Sequence, residues 1–180
     1  MAARSADAVA RAAKVERVFL DVDGVLTDGT LQFDGEGRES KRFHTHDGHG
    51  IRMAQRAGLT FGLITGRESE IVTRRAAELQ IDEVHQRVYD KGTRYLELRE
   101  KLGFEDESAA YMGDDLIDLP VLTRVGFSGA PPEALPEVRE RVHWVASRPA
   151  GAGAVRELLE FILKARGDWA GAVERYGLRG

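Results

Sequence analysis

The stretch LDVDGVLTDG, Leu20 to Gly29, places Asp21, Asp23 and Asp28 within ten residues. Asp21 and Asp23 flank a single valine, directly after the apolar run Val18-Phe19-Leu20. Two ionised carboxylates this close repel one another. A cation, a shared proton or full exposure to water would each offset that repulsion. A second acidic group, Asp114, Asp115 and Asp118, follows the apolar AAYM at 109–112. Thr65 follows LTFGLI, and Lys91 opens KGTRYLELREKLG. The acids suit a hard cation, foremost Mg²⁺, which takes few carboxylates plus water and phosphate oxygens. A hydroxyl, neighbouring backbone N–H groups and an ammonium suit a phosphate.

Elements that could carry these residues alternate along the chain. VERVFLDV, LTFGLIT, DEVHQ, SAAYMG, GFSGA and VHWVA read as strands. GHGIRMAQRAG, RESEIVTRRAAELQ, KGTRYLELREKLG, DLIDLPVLTRVG, EALPEVRER and GAVRELLEFILKARG read as helices. TLQFDGEGRESKRF reads as a β-hairpin turning on Asp34-Gly35 and Gly37. This rhythm predicts an α/β fold with a mostly parallel sheet covered by helices. Ligands in such sheets bind outside the carboxyl ends of the strands. Asp21, Thr65, Lys91 and Asp114 are therefore expected at one edge. DWAGAVERYGLRG is too polar and Gly-rich to anchor a core and reads as a tail.

The length of 180 residues fits one domain, 1–180, with a lead-in at 1–14, a hairpin at 30–43 and a tail at 167–180. Apolar content is 42 %, and the net charge of −4 gives no general attraction to nucleic acid or anionic lipid. The absence of cysteine excludes disulfides and thiolate chemistry and fits a cytoplasmic location. No apolar run spans a bilayer. The Arg- and Ala-rich N-terminus lacks a secretory apolar core; a short amphipathic helix is expected there rather than an organelle transit peptide. His44, His46 and His49 cluster, but at no standard zinc spacing, and His85 and His143 read as strand histidines.

DVDGVLTDG, ITGRE, DKGTRYLEL and GDDLIDLPVL resemble, in order, the four signature motifs of the haloacid dehalogenase superfamily of phosphatases. The resemblance covers about Val15 to Lys164. The hairpin, FHTHDGHGIR and GAGAVRELLEFIL are similar to its small capless branch acting on 3-deoxy-D-manno-octulosonate 8-phosphate. The resemblance implies a Rossmann-like three-layer sandwich without a cap and with a protruding hairpin. It implies Asp21 as nucleophile, Asp23 as general acid and base, and Thr65 and Lys91 as holders of the transferring oxygens. Mg²⁺ would be held by Asp21, the Asp23 carbonyl and Asp114, with Asp115 and Asp118 orienting the ligands and Lys91. Substrate contacts are implied for Asp23, His44, Asp47, Gly48, Arg52, Thr65, Gly66, Arg67, Arg75 and Lys91.

A homotetramer joined through the hairpins is also implied. The substrate would be a sugar-acid phosphate, with arginines taking its carboxylate. Related phosphatases of nine-carbon sialic-type acids have Glu after TG and Lys at the position of Glu78. Arg67 and Glu78 here favour the eight-carbon acid. His44 and His46 depart from the Asn and Arg of many relatives. Two further readings are a receiver-type signalling module and a non-catalytic phosphatase-like scaffold. The DxD on the first strand and the complete set of motif residues argue against both.

Overall fold

The computed structural model describes residues 2–178. Met1, Arg179 and Gly180 of the expected lead-in and tail lie outside the described residues. The chain begins with helix α1 (Ala2–Ala12), whose Ala8 and Ala12 enter the core. Strand β1 (Arg17–Leu20) follows, then the hairpin strands β2 (Gln32–Phe33) and β3 (Glu39–Ser40). Next come α2 (Thr45–Arg56), β4 (Thr60–Ile64), α3 (Glu70–Glu78), β5 (Glu83–His85) and α4 (Lys91–Leu102). A 3₁₀ turn at Asp106–Ser108 leads into β6 (Ala109–Met112). Another at Leu116–Asp118 precedes α5 (Leu119–Leu122), β7 (Phe127–Ala130), α6 (Pro136–Arg139) and β8 (Trp144–Val145). Helices α7 (Ala154–Arg166) and α8 (Trp169–Glu174) close the chain.

Six strands form one sheet in the order β5-β4-β1-β6-β7-β8, and every pairing is parallel. Strands β1, β6 and β7 are wholly buried but for Arg17, as expected of a sheet covered on both faces. From β1 the chain winds outward through β4 to β5, then crosses back to β6 and winds the other way. The reversal makes β1 and β6 neighbours whose following loops diverge, and the crevice at such a point is where open α/β sheets bind ligands. One face is covered by α1, α2 and α7 around Val18, Leu20 and Leu63. The other carries Phe19, Ile64 and Tyr111 against Tyr95, Leu98 and Leu122. The antiparallel hairpin forms a separate two-stranded sheet. Asp34 fixes its turn by accepting from the backbone N–H groups of Glu36 and Arg38.

Three expectations change. Helix α2 starts at Thr45, ahead of Gly48, because the His44 ring accepts from the His46 N–H as an N-cap. The helix expected over 115–126 divides into the 3₁₀ turn and α5. Asp115 and Asp118 form a capping box, Asp118 turns inward, and Pro120 starts the new helix. The segment expected to be an unpacked tail instead forms α8. Trp169 and Ala172 pack against the core, Val173 is buried at the same helical spacing, and the Lys164 ammonium lies over the Trp169 ring.

Candidate active site

Three strand ends and a helix start meet over the β1–β6 crevice. Asp21 follows β1, and its N–H is bound to the Met112 carbonyl of β6. Thr65 follows β4 and Asp114 follows β6. Lys91 is the first residue of α4, capped by Asp90 through the Thr93 N–H. These four, with Asp23, Gly66, Arg67, Asp115 and Ile117, line a cavity of about 200 Å³. Gly24 is what allows the approach. Its φ of +89° suits glycine, and a Cβ there would overlap the Asp114 carboxylate. A wider cleft of about 410 Å³ between α2 and α8 has Asp168 as its only acidic lining residue.

Lys91 lies at the centre of the charge arrangement. Its ammonium is 2.9 Å from Asp21 Oδ1 and 2.6 Å from Asp118 Oδ1, with its side chain wholly buried. Asp118 is also wholly buried. Its Oδ1 accepts from Tyr111 as well, at 2.6 Å, and its Oδ2 accepts from the N–H groups of Asp114 and Asp115. Burial pushes the Asp21 carboxyl up to about 8, the Asp118 charge adds to this, and Lys91 opposes it. Asp114 is pushed up to about 7, first by burial and then by Asp118 and Asp115. Burial lowers Lys91, but Asp21 and Asp118 outweigh it and hold the ammonium charged. Tyr111 is raised, chiefly by burial, and remains a hydrogen-bond donor.

The question posed by the DxD pair has a geometric answer: each carboxylate has its own lysine. Lys41, at the foot of the hairpin, places its ammonium 2.5 Å from Asp23 Oδ1. Glu39 lies 3.4 Å from Lys41 and 2.9 Å from Arg67. Burial raises Glu39, but its contacts with Arg67, Ser69 and Lys41 together lower it below its ordinary value. Lys41, Glu39 and Tyr111 were not among the residues expected from the sequence. Lys41 and Glu39 sit in a polar hairpin arm whose sequence carries no apolar periodicity, and Tyr111 is indistinguishable from an ordinary core residue of a buried strand.

The remaining expected residues divide. His44, Asp47, Gly48 and Arg75 line a separate small recess with Leu26, Phe43 and Leu79. Asp47 is 1 % exposed and accepts from the Gly153 and Arg156 N–H groups at the start of α7. Arg75 lies over the Phe43 ring and pairs with Glu78, and a Cβ at Gly48 would overlap its guanidinium. Arg52 is displaced from the expected site. It bonds to Gln55 and the Leu79 carbonyl and lines a cleft with Arg17 and Thr60, the first residues of β1 and β4. Those are the amino ends of the strands, opposite the acidic cavity. Asp115 is exposed and caps the 3₁₀ turn. His46 packs edge-on to His44, and His49 bonds to the Tyr176 hydroxyl. His85 pairs with Glu83, and His143 with Ser128.

The cluster fits a hard divalent cation. Asp21, Asp114 and Asp118 each offer an oxygen within 4.8 Å of the others. Both Asp118 oxygens are already taken by donors, leaving Asp21 and Asp114 as the available carboxylates. Asp114 Oδ1 is buried without a partner among the described residues. Few carboxylates and no nitrogen or sulfur donor suit Mg²⁺.

A parallel sheet bearing a buried aspartate, a lysine, a threonine and a cation-ready acid at its switch point defines a phosphoryl-transfer hydrolase of the haloacid dehalogenase type. No family model matched the chain. The chain is 41 % identical over 163 residues, 91 % of its length and 87 % of the relative's, to 3-deoxy-D-manno-octulosonate 8-phosphate phosphatase from Escherichia coli strain K12. It is similar to the crystal structure of the Yersinia pestis phosphatase of the same name, at TM-score 0.89 and 39 % identity, covering 92 % of this chain and 89 % of that one. The Moraxella catarrhalis phosphatase, solved with magnesium, phosphate and KDO, matches at TM-score 0.93 and 36 % identity, covering 94 % and 98 %. The chain belongs to the 3-deoxy-D-manno-octulosonate 8-phosphate phosphatase family.

Proposed function

We propose that this protein hydrolyses 3-deoxy-D-manno-octulosonate 8-phosphate to the free sugar acid and phosphate, with Mg²⁺ as cofactor. The observation that carries the reading is the Asp21 carboxylate in the β1–β6 crevice, paired with Lys91 and within 4.8 Å of Asp114, which has an oxygen without a partner among the described residues. The Moraxella relative's bound magnesium, phosphate and KDO support the same chemistry.

Asp21 attacks phosphorus, forming an O–P bond as the ester O–P bond breaks, and becomes an aspartyl-phosphate. Asp23 gives a proton to the departing sugar oxygen, then takes one from the water that attacks the aspartyl-phosphate. Lys91 and the Thr65 hydroxyl hold the oxygens of the transferring group, and Asp118 holds Lys91. Asp21, the Asp23 carbonyl and Asp114 would hold Mg²⁺, which would supply positive charge against the phosphoryl oxygens. Arg67 is the arginine of the cavity itself and takes the sugar carboxylate, with His44, Asp47, Gly48 and Arg75 lining the separate recess.

Exposure of Leu31 and Phe33 on the hairpin, 48 % and 55 %, supports a homotetramer assembled through it. The cysteine-free composition supports a cytoplasmic location. The test is phosphate release across eight-carbon and nine-carbon sugar-acid phosphates and neutral sugar phosphates, with and without Mg²⁺. The eight-carbon acid should be hydrolysed best. Faster hydrolysis of the nine-carbon acid would reassign the substrate, and no release from any ester would refute the enzyme.

A further inference from the structure

Lys41 has no part in the reaction derived above, yet its setting is unusual for a hairpin lysine. Its side chain is 2 % exposed, while the residues from Leu31 to Arg38 are all exposed. Withdrawing an ammonium from water to this degree costs several kcal/mol unless charge partners offset it. The partners are Asp23 Oδ1 at 2.5 Å and Glu39 Oε1 at 3.4 Å. Thr27 Oγ1 also reaches Asp23 Oδ1, at 3.4 Å. Asp23 Oδ2, in contrast, is buried without a hydrogen bond among the described residues, and Arg67 Nε lies 3.8 Å from it. One oxygen of the carboxyl group is anchored and the other is left open.

We propose that Lys41 is a positioning residue for Asp23: by anchoring Oδ1 it leaves Oδ2 as the oxygen that serves the leaving group, which makes the hairpin part of each protomer's own catalytic apparatus. The inference rests on the reading of Asp23 as general acid. As the Asp21 oxygen bonds to phosphorus, the ester O–P bond breaks with its electron pair going to the ester oxygen. The proton on Asp23 Oδ2 moves to that oxygen, leaving Asp23 anionic beside the Lys41 ammonium. Without Lys41 only the longer 3.4 Å contact with Thr27 holds Oδ1, and Oδ2 loses its fixed aim. A misplacement of about 1 Å at a reacting group can cost on the order of 10²-fold in rate.

A positioning role predicts a loss that depends on the leaving group. We would measure kcat/KM, which reports the first chemical step, for simple alkyl phosphates and for p-nitrophenyl phosphate, whose leaving group departs without a proton. The wild type, Lys41→Met, Lys41→Arg and Asp23→Asn are compared with saturating Mg²⁺. Lys41→Met should lose about 10- to 100-fold on alkyl phosphates and less than about threefold on p-nitrophenyl phosphate. Retained p-nitrophenyl phosphatase activity also reports an intact fold. Lys41→Arg should recover most of the alkyl phosphatase activity. If methionine is not tolerated, Lys41→Gln makes the same comparison. An equal loss on both ester classes, or no loss on either, would overturn the inference. Asp23→Asn separates the two levels. If it shows no leaving-group dependence, the general-acid reading fails. If it does and Lys41→Met does not, only the role of Lys41 fails.

Discussion

Lys91 Nζ lies 2.6 Å from Asp118 Oδ1, and neither side chain is exposed at all. The pair joins the start of α4 to the turn after β6, and Lys91 reaches on to Asp21 at 2.9 Å. Truncating one member of such a buried pair leaves an uncompensated charge, at a cost of about 3–5 kcal/mol. Lys91→Met should therefore lower stability by roughly that amount in denaturant unfolding and abolish turnover. Adding Asp118→Asn should return part of the stability and none of the activity. An undiminished stability in Lys91→Met would show that the pair does not hold the crevice.

The raised acids predict a coupling between metal and pH. Asp21 moves from 3.8 to about 8 and Asp114 from 3.8 to about 7 in the folded, metal-free protein. Between those values the folded chain holds protons that the unfolded chain has released. The metal-free protein should therefore lose stability as pH rises from about 4 to about 8. Mg²⁺ binds the deprotonated acids, so its affinity should rise over the upper part of that window, with proton release. Thermal midpoints in EDTA should fall from about pH 5 to about pH 8, and added Mg²⁺ should raise the midpoint more at the higher pH. EDTA should silence turnover and Mg²⁺ restore it, with Asp114→Ala raising the Mg²⁺ concentration required. Flat profiles and full activity after exhaustive chelation would contradict this.

Specificity rests on Arg67. A charge-assisted hydrogen bond is worth about 1.5–3 kcal/mol, so Arg67→Ala should cost roughly ten- to over a hundred-fold in kcat/KM for the sugar-acid phosphate. A carboxylate-free ester should suffer much less. Arg75→Ala should follow the same pattern more weakly, because Arg75 lines the separate recess and not the cavity itself. Arg52→Ala should leave both substrates within about threefold, since Arg52 is bound to Gln55 and Leu79 at the far end of the sheet. Equal losses on both substrates in Arg67→Ala would assign that arginine to phosphate or to the fold.

How much of this was legible follows from the kind of signal each residue carries. Asp21, Thr65 and Asp114 end apolar runs, and the parallel α/β rule places strand ends together, so their meeting could be read from order alone. Lys91 came with its motif. Lys41 could not be read, because its burial is made by a hairpin folding back over Asp23 and no periodicity records that. Arg52 came only with the resemblance, and its place in the second half of α2, where it bonds to Gln55 and the Leu79 carbonyl, is not written in any motif. Helix α8 was missed because Gly167 and Gly171 hid the small apolar face of Trp169, Ala172 and Val173.

That face makes the last segment structural. Truncation after Gly167 removes the half-buried Trp169 and the buried Val173, and takes the Tyr176 hydroxyl from His49 and Arg56. Burial of one such apolar side chain contributes about 1.5–3 kcal/mol. The truncated protein should melt roughly 5–10 °C lower. An unchanged melting temperature would return this segment to the status of a tail.

The central claim is that Asp21 is the nucleophile toward a sugar-acid phosphate. The measurement that bears on it most directly is phosphate release from 3-deoxy-D-manno-octulosonate 8-phosphate, with Mg²⁺, by the wild type and by Asp21→Asn. The wild type should release phosphate to completion. The variant, near-isosteric and folded but unable to form an acyl-phosphate, should be slower by about 10⁴-fold or more. Release by Asp21→Asn at a rate near that of the wild type would contradict the account.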